Sequence, residues 1–352
     1  MARGPTKDQW RQLQELIARM EPELRAAFES AVYDLVEGVD WAGLVDALTN
    51  LDMEAAVDAL NVEPAAFMQY AQAKAAAFVQ AGVTTASTIS VPGVGRIEVR
   101  FNMRDPAAER WIAEQVWGQI EGWMQQDQLQ VLRDTIRTGF EAGRHPHDIA
   151  RDVAGRVVNG KRQGGVIGLD AGRAHRLTEV TRLMETPEGV QSLVTKRRDG
   201  TLNLKYRVNK ATEARIIRAY NKGEAVPKPD REISIRQFSN ALLKDRADQI
   251  AQDGSAEAVF AGRKEAWDQV LASKGYPPEA VLKTWVHGGG PKDPRPHHLA
   301  MSGKSVRGLD TPFVFSNGTR LRWPHDVEGP ISEKTKCTCG CNFRLDPRWG
   351  LE

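Results

Sequence analysis

The sequence Asp293-Pro-Arg295-Pro-His-His298 lies inside a segment, Lys283 to Leu345, in which Gly, Pro, aromatic residues and Cys recur every few positions. Proline lacks a backbone N–H group and glycine disfavours helix, so this spacing excludes a long helix. We therefore expect the segment to fold as short strands and tight turns that are joined by contacts between distant side chains.

The special residues of this segment occur in a definite order. They are Trp285, Asp293, Arg295, His298, Gly303, Asp310, Phe313, Pro324, Asp326, Cys337 and Cys339. Together they resemble the C-terminal module of the phage head-morphogenesis family, the minor head proteins of the phage Mu F type. The sequence differs from the family pattern at His297, where a small residue is usual, and at Cys341, which is an additional cysteine.

The resemblance extends upstream of this module. Members of the family commonly carry Phe, Pro and Ala ahead of one helix, and Gly, Ile and Ala around the next. The matching residues here are Phe101, Pro106, Ala108, Gly143, Ile149 and Ala150. Where the family usually has Ala-Arg-Thr-Glu within a helix pair, this chain has Ala251-Gln-Asp-Gly-Ser-Ala-Glu257, so no family-specific role is assigned there.

The composition is that of an ordinary globular protein, with 352 residues, of which 41% are hydrophobic and 27% charged. This length allows two or three structural units. The N-terminus lacks the apolar core of a signal peptide, and the apolar stretch Ala71–Val83 is interrupted by Lys74. Neither secretion nor membrane insertion is expected. Three cysteines crowded into five residues are typical of thiols or metal ligands in a reducing cytoplasm.

Apolar residues recur at helical spacing through most of the chain, as in the stripe Leu24, Phe28, Val32 and Leu35. The predicted fold class is mainly α, with a small C-terminal α+β module. The predicted domains are an N-terminal helical block (1–83), a linker with a short strand (84–104), a central helical body (105–280) and the C-terminal module (281–345). Helix breaks are predicted before Pro22 and at Asp253-Gly254.

A β-hairpin is predicted near residues 192–208, because Asp199-Gly200 suits a tight turn and the following residues alternate between apolar and polar. A helix followed by a loop is the competing interpretation. Residues 196–236 contain twelve basic and five acidic residues, whereas residues 1–60 contain five basic and twelve acidic ones. This basic excess makes the hairpin region a candidate for contact with DNA, although a solvated surface is the simpler explanation. The candidate nucleic-acid-binding residues are Lys196, Arg197, Arg198, Lys205, Arg207 and Lys210.

The closing Cys337-Thr-Cys339-Gly-Cys341 offers thiolates for a structural zinc ion, with His298, His297 or His325 completing the ligand set. Small buried thiols are the alternative. Asp293 with His297 and His298 could instead form a hydrolytic metal centre. We favour a structural turn, because the prolines predict an extended segment in which neighbouring histidines point to opposite sides.

The resemblance implies a minor head or capsid protein of a tailed phage or phage-derived particle, located inside the head near the portal vertex after synthesis in the host cytoplasm. Its role would be head morphogenesis and DNA packaging or ejection. The implied partners are the portal protein, with double-stranded DNA and capsid or scaffold proteins as further candidates.

We expect no enzymatic activity, because the sequence contains no recognised catalytic triad, phosphate loop or carboxylate pair. Two alternatives stay open. One is a metal-dependent nuclease or toxin-like effector, although we expect no toxin domain after the module. The other is a nucleic-acid-binding assembly factor that does not contact the portal.

Overall fold

The computed structural model describes residues 7–91, 95–96, 99–120, 125–288, 294–346 and 348. As predicted, the fold is mainly α, with small antiparallel strand pairs and a C-terminal α+β region. The chain forms two compact units. The first contains residues 1–28, 69–119 and 248–352, and the second contains residues 29–68 and 120–247. Among the described residues, none of the helices combines the length and apolar character needed to span a bilayer.

The helices are α1 (Lys7–Glu37), α2 (Trp41–Thr49), α3 (Met53–Asp58), α4 (Met68–Ala86), α5 (Pro106–Trp111), α6 (Gln125–Glu141), α7 (Pro146–Ala154), α8 (Ala171–Leu183), α9 (Pro187–Leu193), α10 (Lys210–Lys222), α11 (Lys228–Lys274), α12 (Pro296–Met301) and α13 (Ile331–Lys334). Shorter helical turns are the 3₁₀ turns Pro64–Phe67 and Pro278–Ala280 and the π-helical turn Ile112–Trp117. The predicted central helical body thus begins with α5, the π-helical turn and α6, and residues 121–124 lie outside the described part.

The strands are short. They are β1 (Ser90–Val91), β2 (Gly95–Arg96), β3 (Arg156–Val158), β4 (Lys161–Gln163), β5 (Val194–Lys196), β6 (Leu202–Leu204), β7 (Val281–Val286), β8 (Ser305–Arg307), β9 (Phe313–Val314), β10 (Arg320–Leu321) and β11 (Gly340–Leu345). The predicted hairpin is present as β5 and β6, and Gly200 takes a φ of +84° at its turn. This positive φ explains the Asp-Gly pair there, because glycine adopts it without steric cost.

Helix α1 is continuous, so the predicted break before Pro22 is wrong. A proline inside a helix costs roughly 3 kcal/mol, because it removes a hydrogen bond and crowds the preceding turn. The apolar stripe runs past it without interruption, with Leu16, Met20, Leu24 and Phe28 all buried. Burial of this stripe is sufficient to offset the proline.

The predicted linker at Asp253-Gly254 is also wrong, since these residues lie inside α11. The close packing of α11 against its neighbours in the first unit explains why a glycine occupies position 254. A Cβ atom added at Gly254 would collide with the Tyr70 hydroxyl, and one added at Gly262 would collide with the backbone carbonyl of Phe78. Close packing therefore compensates for the roughly 1 kcal/mol that glycine costs in a helix.

A buried ion pair also joins α4 to α11 in the first unit. The Lys74 ammonium donates to Glu257 Oε1 at 2.9 Å, to Gln119 Oε1 at 2.7 Å and to the Gln115 carbonyl at 3.1 Å. Lys74 is 2% exposed, so its charge is desolvated and depends on these three acceptors.

The C-terminal part of the first unit is built on a three-stranded antiparallel sheet in the order β11-β7-β8. Its register pairs Trp285 with Cys341 and Lys283 with Phe343. The Arg263 guanidinium of α11 donates to the Cys341 carbonyl at 2.6 Å and lies over the Phe343 ring. These contacts fix β11, and with it the end of the cysteine segment.

Candidate metal centre

Helix α12 brings the two adjacent histidines to one side, contrary to the extended segment predicted there. Pro296 occupies the first helical position, where its missing N–H group is not needed. Adjacent residues on a helix point about 100° apart rather than to opposite sides. His297 Nε2 and His298 Nε2 lie 2.8 and 3.0 Å from Glu333 Oε2, so both face the same carboxylate.

The structure brings His298, Cys337 and Cys339 together in one buried group. We call these three residues the His–Cys cluster. His298 Nδ1 lies 3.7 Å from Cys337 Sγ and 3.5 Å from Cys339 Sγ, and the three donor atoms all lie within 4.8 Å of one another. Histidine nitrogen and cysteine sulfur are the donor atoms that zinc prefers in proteins. The cluster therefore has the composition and closeness of a metal-binding group.

Glu333 lies beside the edge of the His298 ring that faces away from the thiols. The carboxylate lies within ion-pair distance of His298 Nε2, although the two groups lack the alignment of a hydrogen bond. Arg295 lies 3.7 Å from the same carboxylate, and the Asn317 amide donates to its other oxygen at 3.3 Å. Although burial opposes it, the hydrogen bond from His297 and the nearby charges of His298 and Arg295 hold the pKa of Glu333 below its usual value.

The two cluster thiols share a hydrogen bond. This bond raises the pKa of Cys337, which burial raises further, and it lowers the pKa of Cys339. Cys339 is therefore the thiol that loses its proton more readily. A metal ion would need both thiols in the thiolate form.

Of the other predicted candidates, His297 faces Glu333, and Cys341 and His325 do not join the described group. Cys341 is fully buried, and burial raises the pKa of its thiol to about 12, against the opposing charges of Lys283 and Arg263. His325 is also buried, but its Nε2 lies 2.9 Å from the Cys337 backbone carbonyl. His325 thus contacts the backbone and the side chain of Cys337, but it is not among the three residues whose donor atoms lie within 4.8 Å of one another.

Most other residues of the predicted motif form the scaffold of the cluster. Trp285 is fully buried, and its ring meets those of His298, Phe313 and Phe315 edge to face, with centroids 5.0 to 5.4 Å apart. Arg295 donates to the carbonyls of Ser332 and Thr335 at 2.6 and 2.8 Å. This agrees with a structural turn in which Arg295 is bonded to the backbone.

Gly303 has a φ of +81°, and its N–H group donates to the Trp285 carbonyl at 2.8 Å. Asp326 is buried and accepts two hydrogen bonds from the Arg322 guanidinium, at 2.6 and 2.9 Å, while the neighbouring Pro324 is also buried. Asp310 is half exposed, 3.7 Å from the Lys264 ammonium. Asp293 lies outside the described residues.

The six predicted nucleic-acid-binding residues all lie exposed on or beside the hairpin. They are Lys196, Arg197, Arg198, Lys205, Arg207 and Lys210. Within the described part of the chain, none of their side chains forms an ion pair. Their charges are therefore free of ion pairs within the described residues, which suits contact with an anionic partner.

Glu333 is the residue of the centre that sequence reasoning missed. A single glutamate in a polar turn carries no signal of its own. Its position four residues before Cys337 becomes informative only once the fold places α13 beside α12.

No protein-family model, curated protein or solved structure matches this chain.

Proposed function

We propose that this chain is a minor head protein of a tailed phage or phage-derived particle, associated with the portal vertex and acting in head morphogenesis and DNA packaging or ejection. The support is the ordered set of residues that resembles the C-terminal module of the phage Mu F type. The observation that carries the proposal is their convergence. Trp285, His298 and Cys339 are far apart in sequence, yet they pack around one buried centre.

The His–Cys cluster is proposed to bind zinc in a structural role. Zinc–sulfur and zinc–nitrogen bonds of ordinary length, set at a tetrahedral angle, place the two donor atoms about 3.6 Å apart. The two nitrogen–sulfur distances of 3.5 and 3.7 Å are close to this value. A carboxylate beside the remaining nitrogen of a ligand histidine is a common second contact in zinc sites, and Glu333 lies 3.0 Å from His298 Nε2.

The exposed hairpin is proposed to contact the phosphates of double-stranded DNA without reading sequence. This suits a particle that must pass DNA of any sequence. The affinity should fall steeply with salt, with a log–log slope near −0.9 for each phosphate neutralised on duplex DNA. The triple variant Arg197→Glu/Arg198→Glu/Lys205→Glu should bind duplex DNA much more weakly and show a shallower slope. Unchanged DNA binding by this variant would leave the hairpin as a solvated surface only.

The portal contact is proposed to use apolar and acidic faces of the helical body, and so to resist moderate salt better than the DNA contact does. The test is to purify assembled particles and follow whether the chain stays with the portal protein across a salt series. The triple hairpin variant is the matched comparison, and it should stay with the portal. Loss of the portal in that variant would reverse the assignment of the two surfaces, and absence of the chain from particles would refute the proposed function.

The chain is proposed to have no nuclease activity, with the cluster acting in folding and assembly. Purified chain should leave duplex and single-stranded DNA intact in the presence of added zinc, magnesium or manganese. Metal-dependent cleavage that is abolished by His298→Ala would favour the nuclease alternative instead.

A further inference from the structure

The second unit contains a cleft that plays no part in the proposed function. It has two adjoining lobes, of about 140 and 190 Å³. The lobes share six lining residues: Arg144, Asp152, Gly165, Thr181, Glu185 and Ile235. Together they reach the roughly 300 Å³ at which small-molecule sites begin.

The first lobe is rich in cations. Three of its four carboxylates are paired: Asp148 lies 3.0 Å from Arg151 and 3.5 Å from Lys228, Glu185 lies 2.9 Å from Arg231, and Asp152 pairs with Arg144. The fourth, Glu232, is exposed and has no ion pair among the described residues, so the cations of the lobe outnumber its carboxylates. Two further arginines of this lobe, Arg156 and Arg236, are exposed, and their side chains form no ion pair or hydrogen bond with the described residues. They leave this end of the cleft positive and able to accept an anion.

The floor of this lobe is bare backbone. Gly155, Gly164 and Gly165 have φ values of +75°, +75° and +76°, which side chains rarely tolerate. A Cβ atom added at Gly155 would collide with the Gly164 carbonyl, and one added at Gly164 would lie 3.6 Å from the Arg236 side chain. The positive φ favours glycine at all three positions, and at Gly155 and Gly165 the close approach of backbone atoms also excludes a side chain.

The second lobe is mainly apolar. It is lined by Ile149, Val166 and Leu177, with Thr178 beside them. Among the described residues, the Thr178 hydroxyl has no hydrogen-bond partner, so it can bond a polar atom of a ligand. At the junction of the lobes, Asp152 pairs with Arg144, and burial raises the pKa of this carboxyl to about 6. The Arg144 guanidinium offsets the negative charge of Asp152, so this carboxylate opposes an anion less than an unpaired one would.

We propose that this cleft binds a nucleoside monophosphate, with the phosphate at Arg156 and Arg236 and the base in the lobe lined by Ile149, Val166 and Leu177. Arginine suits a phosphate because its planar guanidinium donates two parallel hydrogen bonds. The apolar lobe suits a flat ring, and Thr178 offers the ring a polar contact. This site is independent of the hairpin, whose basic residues lie elsewhere in the sequence and line neither lobe.

Calorimetric titration of the full chain would test the proposal with three probes: deoxyadenosine monophosphate, deoxyadenosine and inorganic phosphate. The monophosphate should bind at least about tenfold more tightly than either fragment, because only it fills both lobes. Arg156→Gln/Arg236→Gln should weaken its binding by about tenfold or more. Ala142→Trp, at an exposed position on the rim of the apolar lobe, should weaken it independently by filling that lobe.

Arg218→Gln is the matched control, because Arg218 is an exposed arginine of the same unit that lines neither lobe. It should bind the monophosphate like the wild type, and thermal melting would establish that each variant is folded. Equal affinity for phosphate or for deoxyadenosine alone would overturn the proposal, as would no binding of the monophosphate at millimolar concentration. Displacement of the monophosphate by duplex DNA, lost with Arg156→Gln/Arg236→Gln, would assign the cleft to the DNA backbone and also overturn it.

Discussion

The His–Cys cluster and the basic hairpin both concentrate polar chemistry, but they differ in what surrounds the polar groups. His298, Cys337 and Cys339 are each no more than 5% exposed, and each contacts another member of the cluster or Glu333. The hairpin cations are exposed and unpaired among the described residues. A buried polar group that loses its partner costs free energy of folding, whereas an exposed one returns to water. Substitutions in the His–Cys cluster should therefore lower the stability of the fold, and substitutions in the hairpin should affect only binding.

The largest effect should follow Cys337→Ser/Cys339→Ser. If zinc is bound, removing two ligands should abolish stoichiometric zinc and destabilise the C-terminal region by several kcal/mol, because metal binding and folding are coupled. Elemental analysis and thermal melting would measure both effects. Cys341→Ala is the control, and it should keep zinc because Cys341 is not part of the described cluster. A wild-type protein without metal, whose melting is unaltered in the double variant, would leave only buried thiols.

A smaller effect is expected from Glu333→Gln. The neutral amide should hold the His298 ring less firmly, and the loss of a carboxylate behind a ligand histidine typically weakens metal binding by about 10- to 100-fold. Competition with a chelator would give the change in zinc affinity. Glu328→Gln, at an exposed glutamate of the same region, should leave the affinity unchanged. Equal affinity in Glu333→Gln would remove Glu333 from the centre.

Lys283→Met tests a buried cation that has no carboxylate partner among its hydrogen bonds. The Lys283 ammonium donates to the carbonyls of Thr311 and Arg322 at 2.7 and 2.8 Å. Methionine would fill the space but leave both carbonyls without this donor, and we expect a loss of about 1 to 3 kcal/mol. Chemical denaturation would measure it, with the exposed Lys304→Met as the control. A stability equal to that of wild type would mean that the carbonyls find other donors.

The same lysine predicts a pH dependence. Burial lowers the pKa of Lys283 to about 8 from an ordinary value of 10.5. Above pH 8 the unfolded chain thus binds more protons at this residue than the folded one, so stability should rise with pH. Cys341 has the opposite effect above its ordinary pKa of 9.0. Because burial raises the pKa of this thiol, the folded chain keeps a proton that the unfolded chain loses, and stability falls with pH. Wild type should therefore gain stability relative to Lys283→Met between pH 8 and 9, and a constant difference would contradict this.

The smallest effect on stability is expected in the hairpin. Arg197→Glu/Arg198→Glu/Lys205→Glu changes exposed residues only, and each exposed substitution usually alters stability by less than about 0.5 kcal/mol. Its melting temperature should stay close to that of the wild type even where DNA binding is lost. A large fall in melting temperature would show that these cations also support the fold.

Local chemistry explains what the sequence alone could predict. The Asp199-Gly200 turn was recognisable because few residues tolerate positive φ, and the cysteines with His298 were recognisable by their donor atoms. The helix through Gly254 could not be predicted in this way. Glycine is required there because of the close contact with Tyr70, which is almost 200 residues away in the chain. Neither Glu333 nor the cleft could be predicted from the sequence, for the same reason: the residues that form each of them meet only after folding.

The close packing of α11 against α4 has a consequence for synthesis on the ribosome. Lys74 emerges long before its partner Glu257, and the stretch 69–119 cannot complete its core until residues beyond 248 have been made. Contacts so distant in sequence form slowly, because a long loop must close first. During that interval the nascent chain carries the uncovered apolar face of α4, including Phe78. Chaperone occupancy should accordingly peak before residue 257 leaves the exit tunnel, and fall once α11 covers that face.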